Sequence, residues 1–176
     1  MKFNIHDNIE NDQNRFVLGC SGSPTLFVLG INPSTANKEK SDATITKVAN
    51  FSKQIGFNGF VMLNIYPQRA TNPDELHPKV DSKLVAQNEI TICSIIPKTR
   101  HPQIWAAWGD SIRKRDYLWD TLFNLAKKLE EQFHPIWKHC GTPTKLGHPR
   151  HPSRLAYKEK FFEFKINDYL DKKRIV

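Results

Sequence analysis

The sequence predicts an α/β protein, a three-layer α/β/α sandwich around a central, mostly parallel four-stranded sheet. Three observations lead there. The apolar runs TLFVL (Thr25–Leu29), FVML (Phe60–Leu63) and QIWAAW (Gln103–Trp108) are continuous rather than alternating, as in strands buried on both faces. Helix-period stretches separate them. Each run ends in a segment rich in Gly, Asn, Asp or Pro, the chemistry of turns at strand ends.

The first dozen residues are polar and are expected to fray or to lie along a sheet edge, with residues 1–14 the outer limit of that segment. RFVLGC (Arg15–Cys20) reads as a short strand and Gly22-Ser23-Pro24 as a turn. After Thr25–Leu29, Ser41 or Asp42 caps a helix to about Ile55, with Ile45, Val48, Ala49 and Ser52 at helical spacing. Phe60–Leu63 ends at Asn64, and a proline-punctuated loop covers 66–78. Val80–Ile92 reads as a helix. Gln103–Trp108 ends in Gly109-Asp110. Ile112–Glu131 is a helix with the stripe Leu118, Leu122, Leu125 and Leu129. Phe133–Trp137 is the fourth strand of the sheet. A basic loop, Lys138–Arg154, leads to a last helix from about Leu155 to Leu170.

A chain of 176 residues fits one domain spanning 1–176. With 39% hydrophobic and 25% charged residues, the composition is that of a globular chain, not a disordered one. No apolar run approaches about 18 residues, so no membrane span is expected. The N-terminus lacks the apolar region of a secretory signal. Three widely spaced cysteines (Cys20, Cys93, Cys140) argue against a disulfide scaffold. A soluble, cytoplasmic monomer is the expectation. Charge is uneven: residues 1–88 carry nine basic and eight acidic side chains, residues 89–176 seventeen and ten. Between Lys138 and Lys160 six basic residues face a single acid, Glu159. A localised excess of this kind favours a polyanionic partner through phosphate neutralisation.

In parallel sheets, ligands bind beyond the carboxyl ends of the strands. Four polar segments occupy such positions: Gly30–Thr35, Asn64–Thr71, Gly109-Asp110 and Gly141–Ser153. At the first, Gly30 lets the backbone come close to a ligand and Asn32 can hold a water through its carbonyl oxygen. At the second, Asn64 offers a donor and an acceptor, the pair that reads a base edge. At the fourth, His151 can donate to an oxygen that becomes anionic. Taken singly, each is more often a turn former or a solvated side chain.

The stretches LGINPSTANKEKSDATI, GFNGFVMLNIYPQRATNPDEL, WAAWGD and GHPRHPSRL resemble the domain-of-unknown-function 1643 family over most of the chain. A second, more distant resemblance is to the uracil-DNA glycosylase superfamily. Gly30-Ile31-Asn32-Pro33 is similar to the GINP motif of its mismatch-specific branch, LNIYPQRATNP to the base-recognising segment of its thermophilic branch, WAAWG to its central strand, and HPSRLAYKEKFF to its HPSPLS motif. The resemblance implies a glycosylase-like fold and hydrolysis of an N-glycosidic bond in DNA, releasing uracil or a modified base. Asn32 and His151 would then be catalytic. Asn64, with Gly30, Ile31 and Pro33, would read the base. Ser34, Arg150, Ser153, Arg154, Leu155 and Lys158 would hold the nucleic acid, with Leu155 as the wedge that enters the duplex. No cofactor or metal is implied. The water-activating aspartate of the most active branch is absent, and Arg154 stands where proline is common. Asp42 and Arg69 belong to the first family's pattern and form a possible additional site without a glycosylase role.

Two other readings use the same residues. A protein that binds nucleic acid or nucleotide without catalysis would keep the same cleft. A metal site built from Cys140, His148, His151 and His139 has only an H-x-x-H spacing and one cysteine behind it. Phosphate loops of the types GxxxxGK(S/T) and GxGxxG are absent from the sequence.

Overall fold

The computed structural model describes residues 3–9, 12–37, 39, 41–97 and 101–174. Among the described residues, seven strands form one mixed sheet: β1 (Ile5–Ile9), β2 (Asn14–Cys20), β3 (Thr25–Gly30), β4 (Gly59–Asn64), β5 (Gln103–Ala106), β6 (Ile136–Cys140) and β7 (Phe161–Glu163). Their spatial order is β1-β2-β4-β3-β5-β6-β7. The four inner strands β4, β3, β5 and β6 are mutually parallel. Antiparallel β1 and β2 extend one side and antiparallel β7 the other. The four-stranded parallel sheet is thus the centre of a larger mixed one.

Helix α1 (Ala43–Gln54) joins β3 to β4, α2 (Ser82–Ile95) joins β4 to β5, and α3 (Tyr117–Phe133) joins β5 to β6; α4 (Ile166–Arg174) follows β7. Strand alternation sorts the core into two clusters. Leu26, Val28, Phe60, Met62 and Trp105 meet Ile45, Val48 and Phe51 of α1. Phe27, Leu29, Val61, Leu63 and Ile104 meet the stripe of α3 and residues of α2 and α4 on the other face. Each fully buried leucine of that stripe contributes about 1.5–3 kcal/mol by leaving water. Among the described residues, no helix is long and apolar enough to cross a membrane.

The N-terminal segment takes the edge position that was one of its two expected alternatives: Ile5 pairs with Gly19 and Ile9 with Asn14. Three expectations need correction. The helix expected from Ile112 is broken. Gly109–Lys114 is a 3-10 turn, and Arg115 is extended (φ −145°, ψ 134°) before α3 begins. Its guanidinium donates to the carbonyls of Asp74, Leu76 and His77, which holds the chain out of helical register there. Phe133 belongs to α3, not to a strand, because it continues the buried spacing from Leu129; His134 in the left-handed region (φ 46°) then stops the helix, and β6 starts at Ile136. No helix runs from Leu155 to Leu170. Residues 161–163 pair with β6, and helix resumes only at Ile166.

The topology opens a cleft. The loop after β3 leads to α1 on one face of the sheet, while the loop after the adjacent β5 leads to α3 on the other. Such divergence is a topological switch point, where open α/β sheets bind ligands.

Candidate functional site

The cleft at that point has a volume of about 830 Å³ and is lined by Ile31, Asn32 and Ser34 after β3, by Trp108, Gly109 and Asp110 after β5, by Asp42 and Thr44 at the start of α1, and by Lys145, Arg150, His151, Ser153 and Arg154. Asn32 and His151, 119 positions apart in sequence, therefore face one space.

Backbone hydrogen bonds fasten the loop after β3 to the loop after β4: Ile65 N–H to the Gly30 carbonyl, Tyr66 N–H to that of Ile31 and Ala70 N–H to that of Pro33. Asn32 completes the seam. Its Nδ2 donates to the carbonyls of Ala70 (2.7 Å) and Pro33 (3.0 Å). Carbonyls only accept, so the amide's orientation is fixed, and Oδ1 is left as the acceptor.

Asn64 lies at the tip of β4, opposite Gly30 in register. It is 0% exposed, and neither Nδ2 nor Oδ1 has a hydrogen-bond partner. An unsatisfied buried polar group costs about 1–3 kcal/mol. Asn64 Oδ1 lies 3.2 Å, and the Met62 methyl 2.6 Å, from where a Gly30 side chain would begin. Glycine thus leaves the space into which both project. Met62 also lines the cleft, whereas Asn64 does not, and the flexible Met62 thioether shares the space beside Gly30 with the Asn64 amide.

His151 caps the 3-10 turn Pro152–Arg154. Its Nδ1 accepts from the Ser153 backbone N–H (3.4 Å) and lies 2.8 Å from Ser153 Oγ. That arrangement places the proton of the neutral ring on Nε2. Burial pushes the imidazole down to about 4, the nearby Arg154 adds to the shift, and Asp42 partly opposes it. His151 is therefore a neutral donor at physiological pH. Gly109 is required beside it: its φ is +63°, and a Cβ would come within 3.2 Å of the His151 Cβ.

Asp42 and Arg69 acquire positions. Asp42 caps α1 through Ile45 N–H (2.8 Å) and accepts from Ala36 N–H (3.4 Å). Arg69 donates to the carbonyls of Ser34 and Ala36 (2.8 Å each) and pairs with Asp12 at 2.7 Å. Both shape the loop after β3, and Asp42 also faces the cleft. Arg150 is held by a bond from its Nε to the Thr142 carbonyl (2.7 Å), while Ser153 and Arg154 are exposed at the rim. Lys158 is exposed but does not line the cleft.

Leu155 is misplaced by the sequence reading. It is 2% exposed and packs in the α1 core cluster. Its carbonyl accepts from Lys47 Nζ, which also reaches the Ser153 carbonyl. A wedge must be exposed, so Leu155 in this position cannot enter a duplex. The exposed leucine beside the cleft is Leu146, 44% exposed on the turn closed by Gly147 N–H to the Thr144 carbonyl. The proposed metal ligands disperse. His148 Nδ1 bonds the Tyr169 hydroxyl (2.9 Å) in the α3 side of the core, His139 stacks on Phe162, and Cys140 is buried in the other cluster. Among the described residues, no three His, Cys, Asp or Glu side chains gather as metal ligands.

Sequence reasoning missed Arg15, Lys47 and Leu146. Arg15 opens an apolar strand and is 2% exposed, yet lines the cleft. A lone arginine in a run such as RFVLGC was the available signal. Four cations (Arg15, Lys145, Arg150, Arg154) line the cleft against two carboxylates, Asp42 and Asp110, so its field attracts anions.

These features define an α/β protein with a basic cleft at the carboxyl ends of its parallel strands, furnished with a fixed amide and a neutral histidine. The chain belongs to the family described as Protein of unknown function (DUF1643), whose model matches residues 15–153. That span begins at Arg15 and takes in every cleft residue named above except Arg154. No curated protein and no solved structure matches the chain.

Proposed function

We propose that the protein is an N-glycosylase of uracil-DNA glycosylase-like fold that releases uracil or a modified base from DNA. The observation that carries the reading is Asn64: a fully buried amide, unsatisfied at both ends, opposite Gly30 and beside Met62, which lines the cleft that holds Asn32 and His151. A site that keeps such an amide unpaired suits a ligand presenting the complementary donor and acceptor, as the amide edge of a pyrimidine does.

The chemistry follows from the groups present. The C1′–N bond breaks and its electron pair leaves with the base. His151 Nε2–H donates to the base oxygen on which negative charge gathers, a contribution worth about 3–4 kcal/mol at well-studied sites. The sugar becomes oxocarbenium-like. A water held by Asn32 Oδ1 forms the new C1′–O bond, and its proton ends on the departing base or in solvent. An amide is a weak base, so it orients the water and leaves the reactivity to the cation. The base must first leave the stack, at a cost of a few kcal/mol. Arg150, Arg154 and Lys145 would hold the phosphates, and Leu146 takes the wedge position expected of Leu155. Met62 must swing aside for the base to reach Asn64.

One observation favours a protein that binds without cleaving: no carboxylate stands in for Asn32, and the Asp42 oxygens are engaged by backbone N–H groups. The deciding experiment is a screen of base-modified oligonucleotides and free nucleosides for released base. Release from an oligonucleotide is expected. Retained binding with no release from any substrate contradicts excision and favours the binder.

A further inference from the structure

We infer that Arg15 and the first turn of α1 form a phosphate subsite at the α1 end of the cleft, taking a phosphoryl group of a nucleotide. The inference rests on the proposed function only for the nucleoside half of that ligand.

Arg15 is a buried cation with few partners. At 2% exposure its guanidinium makes, among the described residues, one hydrogen bond, from Nη1 to the Ala36 carbonyl (2.6 Å), and its Nε has none. Among the described residues, no carboxylate pairs directly with it; the ion pair of this region joins Asp12 to the neighbouring Arg69 instead. Burial and the nearby Arg69 lower its pKa to about 10, with the charges of Asp42 and Asp12 partly opposing them, which leaves it charged at neutral pH. A charged guanidinium with unused donors on the wall of a cleft calls for an oxygen-rich ligand, and its planar fork matches phosphate.

The helix end lies in the same connected patch. Ala36 accepts from Arg15 through its carbonyl and donates its N–H to Asp42, which in turn accepts from Ile45 N–H. Thr44 and Ile45, in the first turn of this 12-residue helix, line the cleft together with Arg15. The unpaired N–H groups and partial positive charge of such an end favour an anion. Asp42 opposes one, so the attraction depends on the charge of Arg15. A phosphate has enough oxygens to meet both the helix end and the guanidinium.

The phosphate can come from a free nucleotide, as a monoester, or from a strand, as a diester. The test titrates the full chain at constant ionic strength with deoxyuridine, deoxyuridine 5′-monophosphate and a dinucleotide with one internal phosphodiester. Wild type is expected to bind the monophosphate or the dinucleotide at least tenfold tighter than the nucleoside; the larger advantage identifies the source. Arg15→Gln and Thr44→Glu should each cut that advantage below twofold. Thr44→Glu guards against misfolding, since a carboxylate in the first helical turn favours the helix while repelling an anion. Equal or absent binding of all three compounds by wild type, or an undiminished advantage in folded Thr44→Glu, overturns the subsite. Base release is scored separately. A phosphate advantage without release contradicts excision and leaves the subsite standing, whereas release without that advantage does the reverse.

Discussion

Asn32 and His151 are fixed in different ways, and their variants should fail differently. Asn32 is oriented by two carbonyl acceptors, Ala70 and Pro33. Asn32→Ala should reduce base release at least 100-fold while leaving DNA affinity within about threefold, measured by single-turnover release and by equilibrium binding. His151 carries a neutral ring. Its folded-state value of about 4 lies below the ordinary 6.5, so the unfolded chain takes up the proton more readily than the folded one. The contribution of neutral His151 to stability is therefore complete above pH 6.5 and drains away as pH falls toward about 4. Denaturant titrations at pH 7.5 and 4.5 should show a smaller loss on acidification in His151→Gln than in wild type. Equal losses would mean that the ring titrates normally. The GINP and HPS motifs made these two residues legible in the sequence. Asn64 was legible as a strand-tip amide, but its complete burial was not, because burial depends on which strand lies alongside.

Among the elements, the inner strands and α1 were readable because one local signal dominates each. The runs in β3 and β4 are buried on both faces, and Asp42 caps α1 as its side chain predicts. Errors arose where a distant partner decided the outcome. Arg115 breaks the helix after Gly109 by binding carbonyls some 38 to 41 residues away. Residues 161–163 become β7 because β6 has an open edge for them, with Cys140 opposite Phe161. Leu155 is drawn into the core by α1, a contact its own segment does not announce. The α3 stripe supports the sheet face opposite the cleft wall formed by α1. Leu122→Ala should cost about 2–5 kcal/mol in urea unfolding, with the catalytic rate of the folded fraction unchanged. A cost below about 1 kcal/mol would place Leu122 outside the core.

For the molecule as a whole, three of the basic residues in the second half of the chain, Lys145, Arg150 and Arg154, line the cleft. That predicts salt-sensitive DNA binding. Arg154→Ala should weaken binding across sequences alike and reduce the slope of log K against log salt by about one; an unchanged slope would remove Arg154 from the phosphate contacts. The charge excess was plain in the sequence. Strand-end topology also led to the expectation that two amides and an imidazole share the cleft; Asn32 and His151 do line it, where the loops after β3 and β5 diverge, while Asn64 is buried and outside its lining. The buried Arg15 was invisible as a site residue, since an arginine flanking an apolar strand is ordinarily at its solvated edge.

The unsatisfied Asn64 amide supplies the most direct measurement. Asn64→Leu replaces it with an apolar side chain of similar size and removes a buried polar group that has no partner. Unfolding and single-turnover release from a uracil-containing duplex are measured on the same preparation. The account predicts a melting temperature equal to or above wild type together with at least 100-fold slower release, since the amide serves the base and not the fold. Release at the wild-type rate, or a marked fall in melting temperature, would contradict it.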